Sequence, residues 1–374
     1  MSFLAAAVYV AVDCDASRAQ RWRGHIVIGG AVNTQTQDDA FAAAVRSGDQ
    51  AEFGALAERY RRQLHVHCYR MVGSFEDAED LVQETLLRAW RSRDGFEGRA
   101  AFKTWLFRIA TNVCLNALER APRRVMPPDV APASADPGAQ PRPAPEVRWL
   151  EPYPDQLLDL MAPSETEPDA IVVSRESIEL AYLAALQHLP PRQRAILILR
   201  GALGWSAMET AAFFDSSVVS VNSALQRARG TMRALLPERQ AEWPLATEPN
   251  ERERAALQTF MNAFERRDAD ALAAILREDA RQMMPPAALW FDGRGSIIAL
   301  HREGPFAPGS KGDFRMLPTS ANRQPAAACY FRPPGASEYR LVGLNVLRIE
   351  GGKIAEIISF GPDLCAAFGL SPTL

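Results

Sequence analysis

A proline-rich, acidic segment at residues 122–169 divides this chain and rules out a single continuous core. It holds 12 of the 27 prolines, and the stretch 125–189 carries three Lys or Arg against eleven Asp or Glu. Proline removes a backbone donor and like charges repel, so this composition predicts an extended linker without a core of its own. The 374 residues must therefore form separate domains on either side of the linker.

The part before the linker, residues 39–121, is predicted to be a helical bundle. Its apolar residues return every three to four positions, which is the period of an amphipathic helix. Gly73 interrupts the pattern, and Ser74 is a suitable cap for the helix that follows. Residues 1–38 begin with an apolar stretch but lack the basic lead-in of a secretory signal, so we expect a disordered extension there.

Within this bundle, the segment that follows Ser74 has acidic residues in its first turns: Asp77, Glu79, Asp80 and Glu84. Negative charge near a helix N-terminus is favoured by the helix dipole. The same residues leave an acidic exposed face, which is suitable for binding a protein partner.

The next helical segment combines aromatic residues with positive charge. The stretch 88–124 carries nine Lys or Arg against three Asp or Glu. Its cations include Lys103, Arg108 and Arg120. Cations that hold phosphates, beside rings on which bases stack, are typical of proteins that bind unstacked single strands. The alternative is that Phe102, Trp105 and Phe107 only form the core, and for Trp105 we expect the core position.

After the linker, residues 205–230 have the pattern of a helix-turn-helix. Ser206 and Glu209 have the spacing of a capping box, and the turn 215–217 can cap a second helix. Val221 and Leu225 are predicted to face inward on that helix. Outward amides suit base edges, while serine and arginine suit phosphates. The residues predicted to contact duplex DNA are Ser220, Asn222, Ser223, Gln226, Arg227 and Arg229. An ordinary helical hairpin is the alternative.

Two stretches resemble one family. Asp77-Ala-Glu-Asp-Leu-Val-Gln-Glu-Thr-Leu-Leu-Arg-Ala-Trp90, followed by Thr104-Trp-Leu-Phe-Arg-Ile-Ala-Thr-Asn112, closely resembles region 2 of extracytoplasmic-function (ECF) sigma factors. His188-Leu-Pro-Pro-Arg-Gln-Arg-Ala195 and the helix-turn-helix resemble region 4 of that family. Both regions occur in the family's order, with a linker between them.

The resemblance implies two all-α sigma domains, region 2 at 39–121 and region 4 at 170–238, on either side of the linker. It implies binding of core RNA polymerase, at the β′ clamp and the β flap, and of promoter DNA. The implied clamp-binding residues are Asp77, Glu79, Asp80, Leu81, Gln83 and Glu84. The implied residues for the minus-ten element, bound as a single strand, are Lys103, Arg108, Asn112, Asn116 and Arg120. The helix-turn-helix would recognise the minus-thirty-five element as a duplex. In the family the linker threads the polymerase active-site cleft.

The helix-turn-helix departs from the family pattern in several places. Asp215 stands where a glycine is usual, and Thr210 replaces an isoleucine or valine. Asn222 and Ala224 stand where lysine or arginine is frequent. Fewer phosphate contacts lower the affinity for DNA, so we expect this helix to depend on the polymerase for binding.

Residues 251–374 resemble a SnoaL-like domain, a cone-shaped α+β fold with a bent antiparallel sheet wrapped by helices. The resemblance is carried by residues 259–264, 284–286 and 290–293. Such a fold has an apolar pocket that can hold a small ligand. Its acid–base candidates are Asp279, Asp292 and His301, but no acid–base pair is evident from their spacing. We therefore expect a domain that regulates in cis, without enzymatic activity.

Two functions of other classes stay open at this point: a cyclase or isomerase with a helical DNA-binding appendage, and a ligand-responsive helix-turn-helix repressor. The sequence has no membrane-spanning run, and its five scattered cysteines suit a reducing cytoplasm. We expect a cytoplasmic protein without a cofactor or a metal ion. The aromatic stretch 149–155 is unusual for a linker, and we expect it to dock on a surface such as the C-terminal domain.

Overall fold

The computed structural model describes residues 50–96, 102–159, 178–236 and 251–374. The extension predicted at 1–38 lies outside the described residues. The described residues form two compact units. One unit combines 50–124 with 157–236, and the other combines 125–156 with 251–374. The linker is thus shared between the two units, and its first part belongs to the C-terminal one.

Three helices form what we call the first bundle: α1 (Gln50–Val72), α2 (Phe75–Arg91) and α3 (Phe102–Arg120). Gly73 follows α1 at a φ of 73°, a left-handed conformation that glycine adopts without strain. The Ser74 side chain then accepts a hydrogen bond from the Asp77 N–H, 3.1 Å away, which caps α2. The predicted break and the predicted cap are both confirmed.

The core of the first bundle is aromatic. Phe102 and Phe107 are each 1% exposed. Trp105, expected in the core, is only half-buried, and its ring lies against those of Phe96 and Phe102 at centroid distances of 5.0 and 5.6 Å. The expectation for Trp105 is therefore wrong in part, because this face of α3 carries one ring more than the core encloses.

Two histidines are buried in the same bundle. His67 Nε2 lies 3.0 Å from Thr111 Oγ1, and its ring packs edge-on against Phe107. The His65 ring packs against Phe75 at 4.7 Å. Burial lowers the pKa of His67 to about 3 and that of His65 to about 4, so both rings are neutral at pH 7.

After the short helix α4 (Asp155–Asp159), the second bundle follows: α5 (Leu180–Gln187), α6 (Pro191–Gly201), α7 (Ala207–Phe213) and α8 (Val218–Leu235). Pro191 occupies the first turn of α6, where its missing N–H costs no hydrogen bond. The two prolines at 190 and 191 separate α5 from α6, as the sequence predicts.

A buried arginine joins the two bundles. Arg194 on α6 is 2% exposed and donates from Nη1 to the Met71 carbonyl of α1 at 2.5 Å. Nη1 also reaches the Gln187 side chain, and Nη2 reaches the carbonyls of Gln187 and Leu189. Burial, together with the charge of Arg123, lowers the pKa of Arg194 to about 10, so it stays charged at pH 7.

The C-terminal unit contains three helices and six strands: α9 (Glu251–Arg266), α10 (Ala269–Ile275), β1 (Leu276–Met283), β2 (Trp290–Asp292), α11 (Arg294–Glu303), β3 (Asp313–Ala321), β4 (Gln324–Arg332), β5 (Arg340–Glu350) and β6 (Lys353–Phe360). The strand order is β2-β1-β6-β5-β4-β3. All neighbours are antiparallel except β1 and β6, which pair in parallel. The wholly antiparallel sheet expected from the sequence is thus wrong at one pairing.

Local sequence explains the main turns of this unit. Asp268 caps α10 by accepting hydrogen bonds from the N–H groups of Asp270 and Ala271. Asn322 and Arg323 both have positive φ, which joins β3 to β4 by a tight hairpin turn. One face of the sheet packs on the helices around Phe260, whose side chain is fully buried.

Residues 125–156, which we call the strap, lie against this C-terminal unit. At one edge of the sheet the Ser134 N–H donates to the Trp290 carbonyl of β2, and the Trp290 indole donates to the Ala131 carbonyl. At the other edge Tyr153 exchanges hydrogen bonds with Asn322 in the β3–β4 turn. The strap therefore runs from one edge of the sheet to the other.

The strap also supplies apolar side chains to this unit. Trp149 is 7% exposed, and Leu150 and Tyr153 are each 1% exposed. Val125 pairs with Trp149, so that the two ends of a long loop meet. The predicted docking of the aromatic stretch 149–155 on the C-terminal domain is confirmed. The extended linker expected from composition is replaced here by a packed segment.

Candidate nucleic-acid interface

The acidic residues of α2 fall into two groups. Asp80 and Gln83 are exposed, and Leu81 and Glu84 are half-buried, with Glu84 bonded to Arg88 at 2.6 Å. Two others are held by ion pairs: Asp77 by Arg124, just after α3, at 2.8 Å, and Glu79 by Arg61 of α1 at 2.9 Å. The surface free for a protein partner is therefore smaller than the predicted set of six.

On α3 the predicted polar residues form one stripe. Arg108, Asn112, Asn116 and Arg120 are all exposed and follow each other at intervals of four residues, which places them on one helix face. Lys103 is exposed near the N-terminus of the same helix. The half-buried Trp105 lies one turn from this stripe. The structure thus brings cations, amides and an aromatic ring together on one helix.

The helix-turn-helix has the local contacts that the sequence predicts. Ser206 Oγ accepts from the Glu209 N–H, and the Glu209 carboxylate accepts from the Ser206 N–H at 2.7 Å, which completes a capping box. These bonds hold the pKa of Glu209 below its usual range. Ser217 caps α8 by accepting from the Ser220 N–H. Asp215 has a φ of 45°, which explains why glycine is usual at this position.

The two faces of α8 differ sharply. The buried stripe consists of Val221, Ala224, Leu225, Ala228 and Met232. All six residues predicted to contact duplex DNA are exposed: Ser220, Asn222, Ser223, Gln226, Arg227 and Arg229. Two large apolar side chains of the helix-turn-helix are exposed, because Met208 on α7 has 73% and Val219 on α8 has 75% of its surface accessible.

The stripe on α3 and the helix-turn-helix meet within one unit. The Arg108 guanidinium lies 5.8 Å from the centre of the Phe213 ring on α7, within the range of a cation–π contact. Arg123, just after α3, is hydrogen-bonded to His188, just after α5. These contacts and Arg194 hold the two bundles together. Arg194 was not singled out from the sequence, because an arginine in a polar motif gives no sign of burial.

The acid–base candidates of the C-terminal unit do not converge. Asp279 and Asp292 are more than half exposed and pair with Arg277 and Arg281. His301 is 2% exposed, and its Nε2 lies 2.9 Å from the Gln282 side chain. Burial lowers the pKa of His301 to about 3, so its ring is neutral at pH 7. No two of the three candidates form an acid–base pair.

A surface cleft of about 440 Å³ lies between α10 and α11 of the C-terminal unit. It is lined by Ala273, Arg294, Gly295, Ile298, Ala299, Arg302 and Glu303. This cleft is open at the surface and its lining includes charged side chains, so it differs from the apolar pocket that the resemblance implies. None of the helices in the described ranges combines the length and the apolar character of a membrane span.

Three family models match the chain. Sigma-70 region 2 matches residues 56–124, which correspond to the first bundle, and sigma-70 region 4 matches residues 179–232, which correspond to the second. A SnoaL-like domain matches residues 257–357 in the C-terminal unit. The region names are therefore used for the two bundles below.

Individual proteins and structures give the same result. The ECF RNA polymerase sigma factor SigG of Mycobacterium tuberculosis is 42% identical over 87% of this chain and 85% of its own length. The RNA polymerase sigma-H factor of Pseudomonas aeruginosa is 31% identical over 54% of this chain and 96% of its own length. The crystal structure of the M. tuberculosis ECF sigma factor SigJ covers 84% of this chain and 98% of its own, with a TM-score of 0.52 and 20% identity, and so supports the fold. This chain belongs to the ECF family of RNA polymerase sigma factors.

Proposed function

We propose that this sigma factor directs core RNA polymerase to its promoters through two exposed helix faces, and that the C-terminal domain regulates this activity through the strap. The observation that carries the proposal is the helix-turn-helix of region 4. Its recognition helix α8 is capped, packed along one stripe and exposed along the other. An exposed polar face on a packed helix is what entry into a major groove requires.

The polymerase-binding surface is proposed to lie on α2. Asp80, Leu81, Gln83 and Glu84 supply its contacts with the β′ clamp, while Asp77 and Glu79 act inside the bundle by holding α2 in place. Region 4 is proposed to contact the β flap. Because core polymerase works in the cytoplasm, we also propose that location for this chain.

The stripe on α3 is proposed to bind the minus-ten element as a single strand. Arg108 and Arg120 suit phosphates, Asn112 and Asn116 suit base edges, and Trp105 offers a ring on which a base can stack. On α8, the residues proposed to contact bases of the minus-thirty-five element are Asn222, Ser223 and Gln226. Those proposed to contact its phosphates are Ser220, Arg227 and Arg229.

Regulation in cis is proposed to act on the linker. The family resemblance implies that the linker threads the active-site cleft of the polymerase, yet here its first part is hydrogen-bonded to both edges of the C-terminal sheet. One segment cannot occupy both places at once. Docking of the strap therefore competes with loading onto the polymerase, and a signal that loosens the strap increases transcription.

The test is reconstitution of the full chain with core polymerase, with promoter-specific run-off transcription as the measurement. Transcript from a specific promoter is expected from the wild type. Trp149→Ala with Tyr153→Ala is expected to raise the yield, because it weakens the docked strap. Glu146→Ala, an exposed strap position, is the matched control and is expected to change nothing. Absence of any specific transcript would contradict the sigma function itself.

For the C-terminal domain we propose a binding or contact role without catalysis. Its two aspartates are engaged in exposed ion pairs, and its one histidine is buried and neutral. A small-molecule ligand stays a prediction, to be tested by thermal shift of the full chain against a library of small carboxylates and polyketide-like compounds. Turnover of any such compound by the purified chain would overturn the proposal.

A further inference from the structure

Val219 is the most exposed large apolar side chain among the described residues, with 75% of its surface accessible. It is the second residue of α8, after Val218. An aliphatic side chain in water forgoes the stabilisation that burial supplies, and its neighbour Val221, two positions on, is 1% exposed. The exposure of Val219 is therefore a feature of this helix that its packing does not explain.

The position of Val219 places it on the DNA-facing side of α8. Residues at intervals of three, four and seven share one helix face, so Val219 lies in line with Asn222, Ser223 and Gln226. All four are exposed, and the buried stripe lies on the other side of the helix. The N-terminal residues of a recognition helix are those that reach the base edges.

Chemistry then restricts what Val219 can contact there. The base edges of the major groove present hydrogen-bond donors, hydrogen-bond acceptors and one apolar group, the C5-methyl of thymine. An isopropyl group neither donates nor accepts, and it gains nothing beside a phosphate. We propose that Val219 contacts the C5-methyl group of a thymine in the minus-thirty-five element and so determines specificity at that base pair. This inference rests on the sigma function proposed above.

The competing partner for this side chain is the polymerase, since region 4 is also proposed to touch the β flap. The two partners make different predictions. A contact with the polymerase acts on every promoter alike, whereas a contact with a methyl group depends on one base. Replacing thymine by uracil in the DNA removes that methyl group and leaves all hydrogen-bonding atoms in place.

The experiment uses the full chain with core polymerase on a promoter that this holoenzyme selects from a pool with a randomised minus-thirty-five element. Each thymine of the selected element is replaced by deoxyuridine, one at a time, and initial run-off rates are measured in competition. For the wild type, the initial run-off rate is expected to fall about fourfold when the thymine at one position is replaced, which is the effect of one buried methyl group. For Val219→Ala, thymine and uracil at that position are expected to give equal rates.

Val218→Ala is the matched control, because Val218 is adjacent to Val219 but lies nearer the side of α8 that carries the buried Val221 and Leu225 and is only 38% exposed, and it should keep the preference for thymine. Val219→Thr keeps one methyl group and should retain part of the preference, which guards against loss of folding as the cause. A Val219→Ala variant that keeps the full preference overturns the inference, as does a selected element without a methyl-sensitive thymine. A uniform loss on all templates assigns Val219 to the polymerase instead. Absence of specific transcript from the wild type would contradict the proposed function and not the role inferred for Val219.

Discussion

Each of the two compact units contains a contact between segments that are distant in sequence, and the two contacts are built differently. Region 4 meets region 2 around Arg194, a buried cation that donates one hydrogen bond to the Met71 carbonyl of region 2 and three to neutral oxygens of Gln187 and Leu189 within region 4. The strap is joined to the C-terminal domain by hydrogen bonds from its backbone, one of which ends on the Asn322 side chain, and it buries the side chains of Trp149, Leu150 and Tyr153.

The difference concerns how easily each contact opens. A buried cation loses its hydration, and its hydrogen bonds to carbonyls return little beyond that loss, so such a contact adds little net stability while its geometry is specific. Burial of large apolar side chains returns a net gain that grows with area. We therefore expect the contact between regions 2 and 4 to open more readily than the docked strap.

The largest effect is expected from removing the strap aromatics. Trp149→Ala with Tyr153→Ala should lower the free energy of unfolding of the C-terminal unit by more than about 5 kcal/mol, because truncation of each large buried aromatic costs about 3–5 kcal/mol and the variant truncates two. Urea denaturation of the full chain gives the value, with Glu146→Ala as a control within about 0.5 kcal/mol of wild type. A loss below about 1 kcal/mol would mean that the strap is not part of this core.

A smaller effect is expected at the other contact. Arg194→Met should cost about 2–3 kcal/mol in the unit formed by regions 2 and 4, because the Met71, Gln187 and Leu189 carbonyls lose a donor while the apolar chain still fills the space. Denaturation followed by circular dichroism measures it, with the exposed Arg233→Ala as control. If Arg194→Met destabilises as much as the strap variant, the comparison between the two contacts fails.

The pH dependence of stability should also separate the two units. His65, His67 and His301 have folded pKa values of about 4, 3 and 3, below the usual 6.5, so the unfolded chain binds protons first as the pH falls. Each contributes stability that is complete above pH 6.5 and is lost below it, about 2 kcal/mol by pH 5. Regions 2 and 4, with two such histidines, should lose about 2 kcal/mol more than the C-terminal unit.

The measurement is the free energy of unfolding of each unit between pH 7 and pH 5. His301→Gln should reduce the pH dependence of the C-terminal unit only. Equal slopes for the two units would show that a further titrating group dominates one of them.

The smallest effect is expected at the turn of the helix-turn-helix. Asp215→Gly should stabilise the unit of regions 2 and 4 by about 0.5–1 kcal/mol, since glycine adopts a φ of 45° without the steric cost that aspartate bears. Ala212→Gly, at an exposed position within α7, is the opposite control and should destabilise by about 1 kcal/mol. If Ala212→Gly also raised the free energy of unfolding, the backbone strain in region 4 would not lie at Asp215.

Local signals made the helices predictable and left several strands unrecognised. The cap at Ser74 and the capping box at Ser206 and Glu209 act within a few residues, so the sequence shows them directly. Strands β4, β5 and β6 are long apolar runs of the kind that sequence patterns reveal. Strand β1 is not such a run, because its charged residues alternate irregularly, and β2 has only three residues.

The candidate site was predictable where exposure follows from helix periodicity. That argument places Asn222 and Gln226 outward and Val221 inward, as observed. It gives no information on tertiary partners, so the burial of Arg194 and the internal ion pairs of Asp77 and Glu79 could not be foreseen. Composition predicted a linker without a core for the strap, because it shows the prolines and charges of this segment but not the surface of the C-terminal unit on which the segment packs.

The pairing of Val125 with Trp149 sets the reach of the tether between regions 2 and 4. From residue 125 to residue 178 the chain has a contour length of about 180 Å, and closing the loop at Trp149 removes about 80 Å of it. About 100 Å of contour length then remains, so the pairing shortens by almost half the chain available between the two regions.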